Sequence, residues 1–232
     1  MKKFALVNCS NESVKPLGEA FRFADAGWDV LDPADDDFLE RAKHYDGYVI
    51  SGSVRSVVDD AKMPLVANVL NLVRQVQNES KAPILGICFG AQALAQALGG
   101  SVKPNPNGRF RLGVDTLTWN NAPAPDRWIN PAYATSVAKS HGEAVLTLPP
   151  ESEVIAGSKT TPHELFLIGR RFLGVQGHPE VDSRGLQDGY MAFHRPMFND
   201  EQWREIVRDA QQPIERAPVV ELGRQLLSQG RL

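Results

Sequence analysis

The sequence has few cysteines, little net charge and no long apolar run, and each shortage excludes a class of protein. Cys9 and Cys88 are the only cysteines among 232 residues. Two cysteines cannot build the disulfide framework of a small secreted domain, but they suit a reducing cytoplasm. The formal net charge of −3 gives no reason to expect nucleic acid or an anionic membrane as a partner. No apolar run approaches the roughly 18–20 residues of a membrane-spanning helix.

The N-terminus begins with two lysines, as a secretion signal does, and continues into a short apolar stretch. That stretch is too short for a signal peptide and has no cleavage-like site of small residues, so residues 4–7 are interpreted as a first strand. We therefore expect a cytoplasmic protein.

The composition is that of an ordinary globular protein, with 42% hydrophobic and 23% charged residues. A chain of this length can form one compact α/β domain with a full core, and no convincing boundary divides it. We expect a single domain over residues 1–232.

Strand and helix patterns alternate along the chain, which is typical of a parallel sheet with helices on both faces. Residues 101–148 break this pattern with short β-like pieces and with proline-rich loops at 103–107 and 121–125. This segment predicts a small antiparallel extension that covers the functional site. The predicted strands are 4–8, 29–31, 47–50, 83–87, 154–156, 165–168 and 172–176, and the predicted helices are 17–26, 64–79, 91–98, 201–210 and 219–227.

The most informative stretch is residues 86–92, Gly-Ile-Cys-Phe-Gly-Ala-Gln, at a predicted strand-to-helix junction. A nucleophile on such a sharp turn needs glycine on both sides, because larger side chains would clash in the crowded backbone. The Gly-x-Ser-x-Gly elbow of hydrolases has the same geometry, and here cysteine replaces the serine. The turn also places the sulfur at a helix N-terminus, which favours the reactive thiolate. Cys88 is therefore the candidate nucleophile.

A cysteine of unknown context is more often a buried and inert part of the core. The glycines two residues before and two residues after Cys88 favour the catalytic interpretation over the inert one.

The candidate base is His178, ninety residues downstream (178 − 88), in the segment Gly-His-Pro-Glu at 177–180. Histidine exchanges protons near neutral pH. Glu180 lies two residues on, across a proline, and can turn back to orient the imidazole. Although a lone histidine is more often structural, His178 follows a buried strand, and open α/β sheets place their sites at that edge. Cys88, His178 and Glu180 form a complete nucleophile, base and orienting group.

Together, the segments at 86–92 and 177–180 resemble the class I, triad-type glutamine amidotransferases. Residues 48–53, Tyr-Val-Ile-Ser-Gly-Ser, look like the turn that supplies part of that family's oxyanion hole. Residues 140–143, Ser-His-Gly-Glu, resemble the segment that contacts bound glutamine. The resemblance covers most of the chain and implies an open, mostly parallel, flavodoxin-like sheet flanked by helices.

The resemblance also implies a role for each matching residue. Cys88 would attack the γ-carbonyl of glutamine and form a γ-glutamyl thioester, with His178 moving the protons and Glu180 orienting it. The oxyanion hole would be built at Gly52 from the backbone N–H groups of Ser53 and Phe89, each worth roughly 3–4 kcal/mol in comparable sites. The substrate-binding residues would be Gln92, Ser140 and His141.

The oxyanion turn departs from the common Ser-Gly-Gly-Pro pattern of the family, since the chain has Ser-Gly-Ser-Val at 51–54. Ser53 still offers its N–H but lacks the freedom of glycine at positive φ. Together with the stretch Gly-Arg-Phe-Arg-Leu-Gly at 108–113, this turn looks closer to the stand-alone γ-glutamyl peptidase branch, which cleaves glutathione-like molecules.

Three functions stay open at this point. The chain could be the glutaminase subunit of a two-chain amidotransferase that passes ammonia to a synthase partner, because the triad fold takes up the whole chain. It could be an autonomous γ-glutamyl peptidase that needs no partner. A degenerate, non-catalytic regulatory subunit is the third option, and the intact triad argues against it. Dependence on a partner distinguishes the first two.

Several other residues receive structural interpretations. Cys9 ends the first strand and is interpreted as a residue that packs in the core. His44 is interpreted as a solvated residue of a polar helix. The acidic run at 35–37 suits a solvated turn or a helix N-terminus. Because no histidine or cysteine ligand lies near it, we predict no metal and no other cofactor.

A further group is left undecided by the sequence. Arg109 and Arg111 could bind a substrate carboxylate, although surface arginine is commoner. Trp128 is interpreted as cover for the core. His163 and His194 could approach the substrate, but their position in loops does not support this by itself.

Overall fold

The computed structural model describes residues 1–10, 15–22, 25–105, 108–120 and 134–232. Its strands are β1 (Lys3–Val7), β2 (Gly27–Leu31), β3 (Gly47–Ile50), β4 (Ile84–Ile87), β5 (Ser101–Pro104), β6 (Arg111–Thr116), β7 (Thr118–Trp119), β8 (Ser136–His141), β9 (Glu143–Thr147), β10 (Ser152–Gly157), β11 (Leu165–Ile168) and β12 (Phe172–Val175).

The α-helices of the described residues are α1 (Lys15–Phe21), α2 (Phe38–Arg41), α3 (Pro64–Glu79), α4 (Phe89–Ala97), α5 (Ala192–His194), α6 (Asp200–Asp209) and α7 (Ala217–Gln229). Two 3₁₀ turns, Ala42–His44 and Arg195–Met197, and a π-helical turn, Gly185–Met191, accompany them. No helix in these parts of the chain is long and apolar enough to cross a membrane.

Eight strands form one sheet in the order β2-β1-β3-β4-β12-β11-β10-β7. The first five run parallel, and β11, β10 and β7 continue the sheet in antiparallel pairs. All residues of β3, β4 and β12 are buried, because both faces of the central strands are covered. The predicted α/β fold with a mostly parallel sheet is confirmed.

The core lies on both faces of this sheet. One apolar cluster packs α3 and α4 against it, and a second packs α1 and α7 against the other face. In α3, the predicted apolar residues Val69, Leu72, Val73 and Val76 are buried, and the helix has the predicted bounds with Pro64 at its first turn. Proline suits that position because the first turn has no use for its missing N–H.

The predicted antiparallel extension is also present, as two separate ladders that pair β5 with β9 and β6 with β8. A third apolar cluster joins the β6–β8 ladder to the π-helical turn and α6. The predicted loop at 121–125 and Trp128 lie outside the described residues, as do residues 106–107 of the other loop.

Two predicted features differ from the structure. The helix predicted over residues 17–26 ends at Phe21, and Ala26 lies in a bend. The chain must turn there, because Gly27 donates its N–H to the carbonyl of Lys2 at 3.0 Å and begins β2. His44 is exposed, as predicted, but lies in a 3₁₀ turn and not in an α-helix.

Candidate active site

The candidate site lies at the carboxyl ends of three adjacent parallel strands, β3, β4 and β12. Ser51 and Gly52 follow β3, Cys88 follows β4, and His178 comes three residues after β12. The 86–92, 177–180 and 48–53 segments therefore meet at one edge of the sheet, where open α/β folds bind their ligands.

Cys88 sits on a sharp elbow between β4 and α4. Its φ is 51° and its ψ −103°, a conformation that few residues other than glycine adopt. Its N–H still donates to the carbonyl of Val175 in β12 at 2.8 Å. A Cβ atom on Gly86 would lie 2.5 Å from the carbonyl carbon of Gly90, and one on Gly90 would lie 2.5 Å from the carbonyl oxygen of Ile50. The predicted need for both glycines is confirmed as a steric one.

The Cys88 sulfur is almost enclosed, with the residue 4% exposed. It lies 3.8 Å from the carbonyl oxygen of Ser140 and 3.9 Å from Nε2 of Gln176. Ser140 belongs to β8 and Gln176 follows β12, so both sides of the site hold the sulfur in place.

His178 is oriented by two neighbours at the same ring nitrogen. Its Nδ1 lies 2.8 Å from Oε1 of Glu180 and 3.0 Å from the hydroxyl of Tyr190, which belongs to the π-helical turn. The His178 N–H donates to the carbonyl of Ala138 at 2.9 Å and fixes the backbone. Nε2 is buried and makes no hydrogen bond within the described residues, which leaves it available toward Cys88.

The charges around His178 favour its protonated form. Burial lowers the pKa of the imidazole, but attraction to Glu180 and to Cys88 outweighs burial and raises that pKa to about 10. Burial of His141 lowers its pKa well below the ordinary value, and the positive charges of Lys139 and His178 act in the same direction. One imidazole of the site is thus held charged and the other neutral.

Glu180→Gln is expected to lower the pKa of His178, because the amide removes the attraction that holds the proton. Since the folded-state pKa is raised, the stability that it contributes is fully present below about pH 6.5, the unfolded value, and is lost as the pH rises toward about 10. The stability difference between wild type and variant should therefore shrink over that range. Histidine NMR titration and urea unfolding at several pH values measure both effects.

The matched control is Glu153→Gln, which removes an exposed carboxylate on β10. This variant should leave the His178 titration unchanged. Equal titration of His178 in wild type and Glu180→Gln would contradict the expected coupling.

Two backbone donors point from the turns around Cys88. Within the described residues, neither the N–H of Ser53 nor that of Phe89 has a hydrogen-bond partner. A Cβ on Gly52 would lie 3.0 Å from Cε1 of His178 and 3.7 Å from Cβ of Cys88, so this turn touches both. Among described residues other than glycine, positive φ occurs at Cys88 and Glu151. Ser53 therefore occupies the turn without needing the glycine conformation, and the departure from the family pattern does not strain it.

The predicted substrate-binding residues lie together on the other side of Cys88. The Gln92 side chain donates through Nε2 to the carbonyl of Glu143 at 2.8 Å, and Nδ1 of His141 lies 3.0 Å from the same carbonyl oxygen. The Ser140 hydroxyl lies 3.0 Å from Nε2 of His194. Contact of Gln92, Ser140 and His141 with substrate stays a prediction.

The sequence interpretation missed two residues of the site, Tyr190 and Gln176, and left His194 undecided. Tyr190 carried no signal because it lies in a π-helical turn, a rare element that is frequent at functional sites. His194 is buried against Ser140 and packs against Phe110 with the rings tilted by 45° and their centroids 4.6 Å apart. The sequence had placed His194 in a loop.

Arg111 is not the surface or substrate-facing arginine that the sequence left open. Its guanidinium, 17% exposed, pairs with Asp115 and with Asp209 and donates to two backbone carbonyls. Arg109 is exposed. His163 is half-buried, and its Nδ1 lies 3.1 Å from the carbonyl oxygen of Val145, so β9 holds it.

A buried ion pair supports the strand behind the site. Nζ of Lys139, on β8 between Ala138 and Ser140, contacts Oε1 of Glu164, and both side chains are fully buried. The Ser158 hydroxyl donates to the same oxygen at 2.8 Å, and the Glu164 carbonyl accepts the N–H of Gln176. The Lys139–Glu164 pair thus links β8, whose Ser140 carbonyl lies beside the Cys88 sulfur, with Gln176, whose side chain donates to that sulfur.

The acidic run and the first cysteine have the structural surroundings that were predicted. Asp37 precedes α2, and Arg41 of that helix pairs with both Asp35 and Asp37. In the parts of the chain that the structure describes, no three histidine, cysteine or acidic side chains group as metal ligands would. Cys9 is buried in the core below α3, and burial raises the pKa of its thiol.

A parallel sheet with a cysteine elbow at its centre and a histidine–carboxylate pair just after the adjacent strand β12 defines the triad-type amidotransferase class of fold. The family described as glutamine amidotransferase class-I matches residues 12–195. The chain belongs to that family.

Two curated relatives show what kinds of protein this chain resembles. γ-Glutamyl peptidase 3 of Arabidopsis thaliana is 33% identical over 205 residues, which are 80% of this chain and 79% of the relative. A glutamine-hydrolysing GMP synthase of Porphyromonas gingivalis is 35% identical over 136 residues, which are 58% of this chain and 25% of the synthase. Both names describe hydrolysis at a glutamine or γ-glutamyl group.

Solved structures agree with the fold. A glutamine amidotransferase from Thermotoga maritima superposes with a TM-score of 0.73 at 21% identity and covers 99% of this chain and 97% of its own. A glutamine amidotransferase from Methylobacillus flagellatus gives a TM-score of 0.75 at 17% identity, over 100% and 95% of the two chains.

Proposed function

We propose that this protein is a cysteine-dependent hydrolase of γ-glutamyl amides, with Cys88 as nucleophile, His178 as proton carrier and Glu180 as the group that orients it. One observation carries the proposal: Cys88, the His178–Glu180 pair and two unpaired backbone N–H groups converge at the ends of three adjacent strands. A nucleophile, a base and oxyanion donors are the parts that acyl transfer requires.

In the first half of the reaction, the Cys88 sulfur attacks the γ-carbonyl carbon as a thiolate paired with the charged His178, whose Nε2 already holds the proton that the sulfur has given up. The carbonyl oxygen takes the negative charge and is stabilised by the N–H groups of Ser53 and Phe89. The imidazolium then gives its proton to the nitrogen, the carbon–nitrogen bond breaks, and ammonia or an amine leaves. A γ-glutamyl thioester remains on Cys88.

In the second half, His178 takes a proton from water, and the resulting hydroxide attacks the thioester carbon. The carbon–sulfur bond breaks, glutamate leaves, and the Cys88 thiolate is again paired with the imidazolium of His178, which keeps the proton taken from water. Glu180 stabilises the imidazolium, which agrees with the raised pKa of His178.

Gln92, Ser140 and His141 are proposed to border the α-amino acid end of the substrate. Ser140 contacts the nucleophile through its carbonyl, and Gln92 and His141 both bind the carbonyl of Glu143. The neutral imidazole of His141 keeps a buried Nε2 without a hydrogen bond among the described residues, so it can bond a polar substrate group.

Of the two catalytic options, the autonomous γ-glutamyl peptidase is the one that the relatives favour. The alignment with γ-glutamyl peptidase 3 spans about four fifths of both chains, whereas the alignment with the GMP synthase spans a quarter of that protein. A glutaminase that serves a separate synthase subunit is the second candidate, supported by the glutamine-hydrolysing relatives. In either case the whole chain, 1–232, is proposed to work as one catalytic domain with no metal or other cofactor, in the cytoplasm.

The purified chain alone should hydrolyse γ-glutamyl peptides such as glutathione faster than glutamine, by at least about tenfold in kcat/KM, a difference of about 1.4 kcal/mol. Glutamate and amine release measured without any added protein tests this, with Cys88→Ala as the blank. Turnover of glutamine alone would favour the synthase-dependent option. No turnover of either substrate class by the wild-type chain would contradict an autonomous hydrolase.

A further inference from the structure

We propose that Ser51 is a positioning residue that locks the Gly52–Ser53 peptide so that the Ser53 N–H faces the substrate oxygen. The inference rests on the proposed function. It assigns a role in positioning the oxyanion donor to a residue whose side chain hydrogen-bonds neither Cys88 nor His178. Ser51 is the first residue after β3 and is 4% exposed.

The hydrogen bonds of Ser51 have only one possible direction. The backbone N–H of Cys9, two residues after β1, lies 2.8 Å from Oγ of Ser51 and can only donate to it. The carbonyl oxygen of Gly52 lies 2.9 Å from the same Oγ and can only accept. The single hydroxyl proton of Ser51 therefore goes to the Gly52 carbonyl. β1 is thereby connected to the turn through one side chain.

This bond fixes the direction of a catalytic donor, because the Gly52 carbonyl and the Ser53 N–H belong to one peptide unit. The unit is planar and trans, so its C=O and N–H point in opposite directions. Holding the oxygen toward Ser51 holds the N–H away from it. Without the serine hydroxyl, the Gly52–Ser53 peptide, which lies between two small residues, could rotate, and the Ser53 N–H would no longer face the substrate oxygen.

The position of the turn gives this orientation a catalytic consequence. Gly52 lies against both Cys88 and His178, close enough that a Cβ would be 3.0 Å from the imidazole. The Ser53 N–H has no hydrogen-bond partner among the described residues. The chain of bonds from Cys9 through Ser51 to the peptide also polarises the N–H and makes it a better donor. Loss of the Ser51 hydroxyl should therefore weaken stabilisation of the tetrahedral intermediate more than it weakens binding of the substrate.

The test compares Ser51→Ala with Ser51→Thr and with Ser56→Ala in the full-length protein. Ser51→Ala should lower kcat by about 10- to 100-fold with little change in KM, since loss of a whole oxyanion donor costs about 10²–10³-fold. Ser51→Thr keeps the hydroxyl and should restore most of the rate. Ser56 lies in the same loop, and its hydroxyl accepts hydrogen bonds from two backbone N–H groups of that loop. The kcat of Ser56→Ala should therefore stay within about twofold of the wild-type value.

Two further measurements separate positioning from a merely structural role. Binding of an aldehyde analogue of glutamine adds the Cys88 sulfur to its carbonyl carbon and moves the thiol proton to the oxygen. That affinity should fall in Ser51→Ala by the same factor as kcat. Alkylation of Cys88 by iodoacetamide, which displaces iodide and needs no oxyanion hole, should keep its rate. Should Ser51→Ala fail to fold, Ser51→Cys provides the kcat and aldehyde measurements, since its thiol is a weak hydrogen-bond donor of similar size.

An unchanged kcat in Ser51→Ala would overturn the inference, as would a parallel loss of kcat, alkylation rate and melting temperature. Failure of the proposed function would look different, because the wild-type chain itself would then neither hydrolyse γ-glutamyl amides nor bind the aldehyde, and the inference would fall with it.

Discussion

Cys88→Ala is expected to abolish hydrolysis of every γ-glutamyl substrate while the fold stays intact. Removal of the nucleophile leaves binding and oxyanion donors but no atom to form the thioester, so turnover should fall by on the order of 10⁴- to 10⁶-fold. The fold should survive because the loss is one sulfur atom and the crowding around the elbow comes from Gly86 and Gly90. Cys88→Ser keeps a hydroxyl in place of the thiol and should be nearly as inactive.

Glutamate release and circular dichroism of both variants measure the two parts of this prediction. The chain also provides an internal control, because it has a second thiol. Burial raises the pKa of Cys9, whereas Cys88 lies beside the charged His178, so iodoacetamide should label Cys88 and leave Cys9 unmodified. Mass spectrometry of the inactivated protein locates the label. Activity retained in Cys88→Ala, or inactivation accompanied by a label on Cys9 alone, would exclude Cys88 as the nucleophile.

The parts of the site that could be predicted are those with local causes. The elbow needs two glycines within two residues of Cys88, and the clash at each glycine involves atoms of the same turn or of the neighbouring strand. His178 and Glu180 are two residues apart, so a proline-held turn brings them together. Helix α3 was predicted with its exact bounds because Pro64 begins it and its apolar spacing is regular.

The parts that could not be predicted depend on residues far apart in the sequence. Arg111 is half-buried because Asp209, 98 positions away, pairs with it. His194 contacts Ser140 across 54 positions. No periodicity encodes such pairs, since each is made only when the antiparallel ladder packs against the C-terminal helices. The position of Ser51 beneath the oxyanion turn similarly depends on Cys9, 42 positions earlier.

The second large effect is expected from the buried pair of Lys139 and Glu164. Both side chains are fully buried, so removal of either charge leaves the other without its partner in a medium of low dielectric constant. Such a loss typically costs about 3–5 kcal/mol in the free energy of unfolding. Lys139→Met and Glu164→Gln should each show it. Glutamine removes the charge but keeps an oxygen that can accept the Ser158 hydroxyl.

The double variant Lys139→Met/Glu164→Gln should recover much of that stability, because no unpaired charge is then left inside. Urea unfolding of the four proteins at pH 7 gives the coupling energy directly. Lys3→Met is the matched control, since Lys3 pairs with Asp29 at the surface with both side chains about half exposed, and its loss should cost about 0–1 kcal/mol.

The same pair should also affect activity, because Lys139 lies between two residues whose carbonyls contact the triad. Ala138 accepts the His178 N–H, and the Ser140 carbonyl lies beside the Cys88 sulfur. A single variant that shifts β8 should therefore lose kcat as well as stability, and the double variant should regain both together. If the loss in free energy of unfolding of the double variant equals the sum of the two single losses, Lys139 and Glu164 act independently. Their contact would then not be what holds β8 behind the nucleophile.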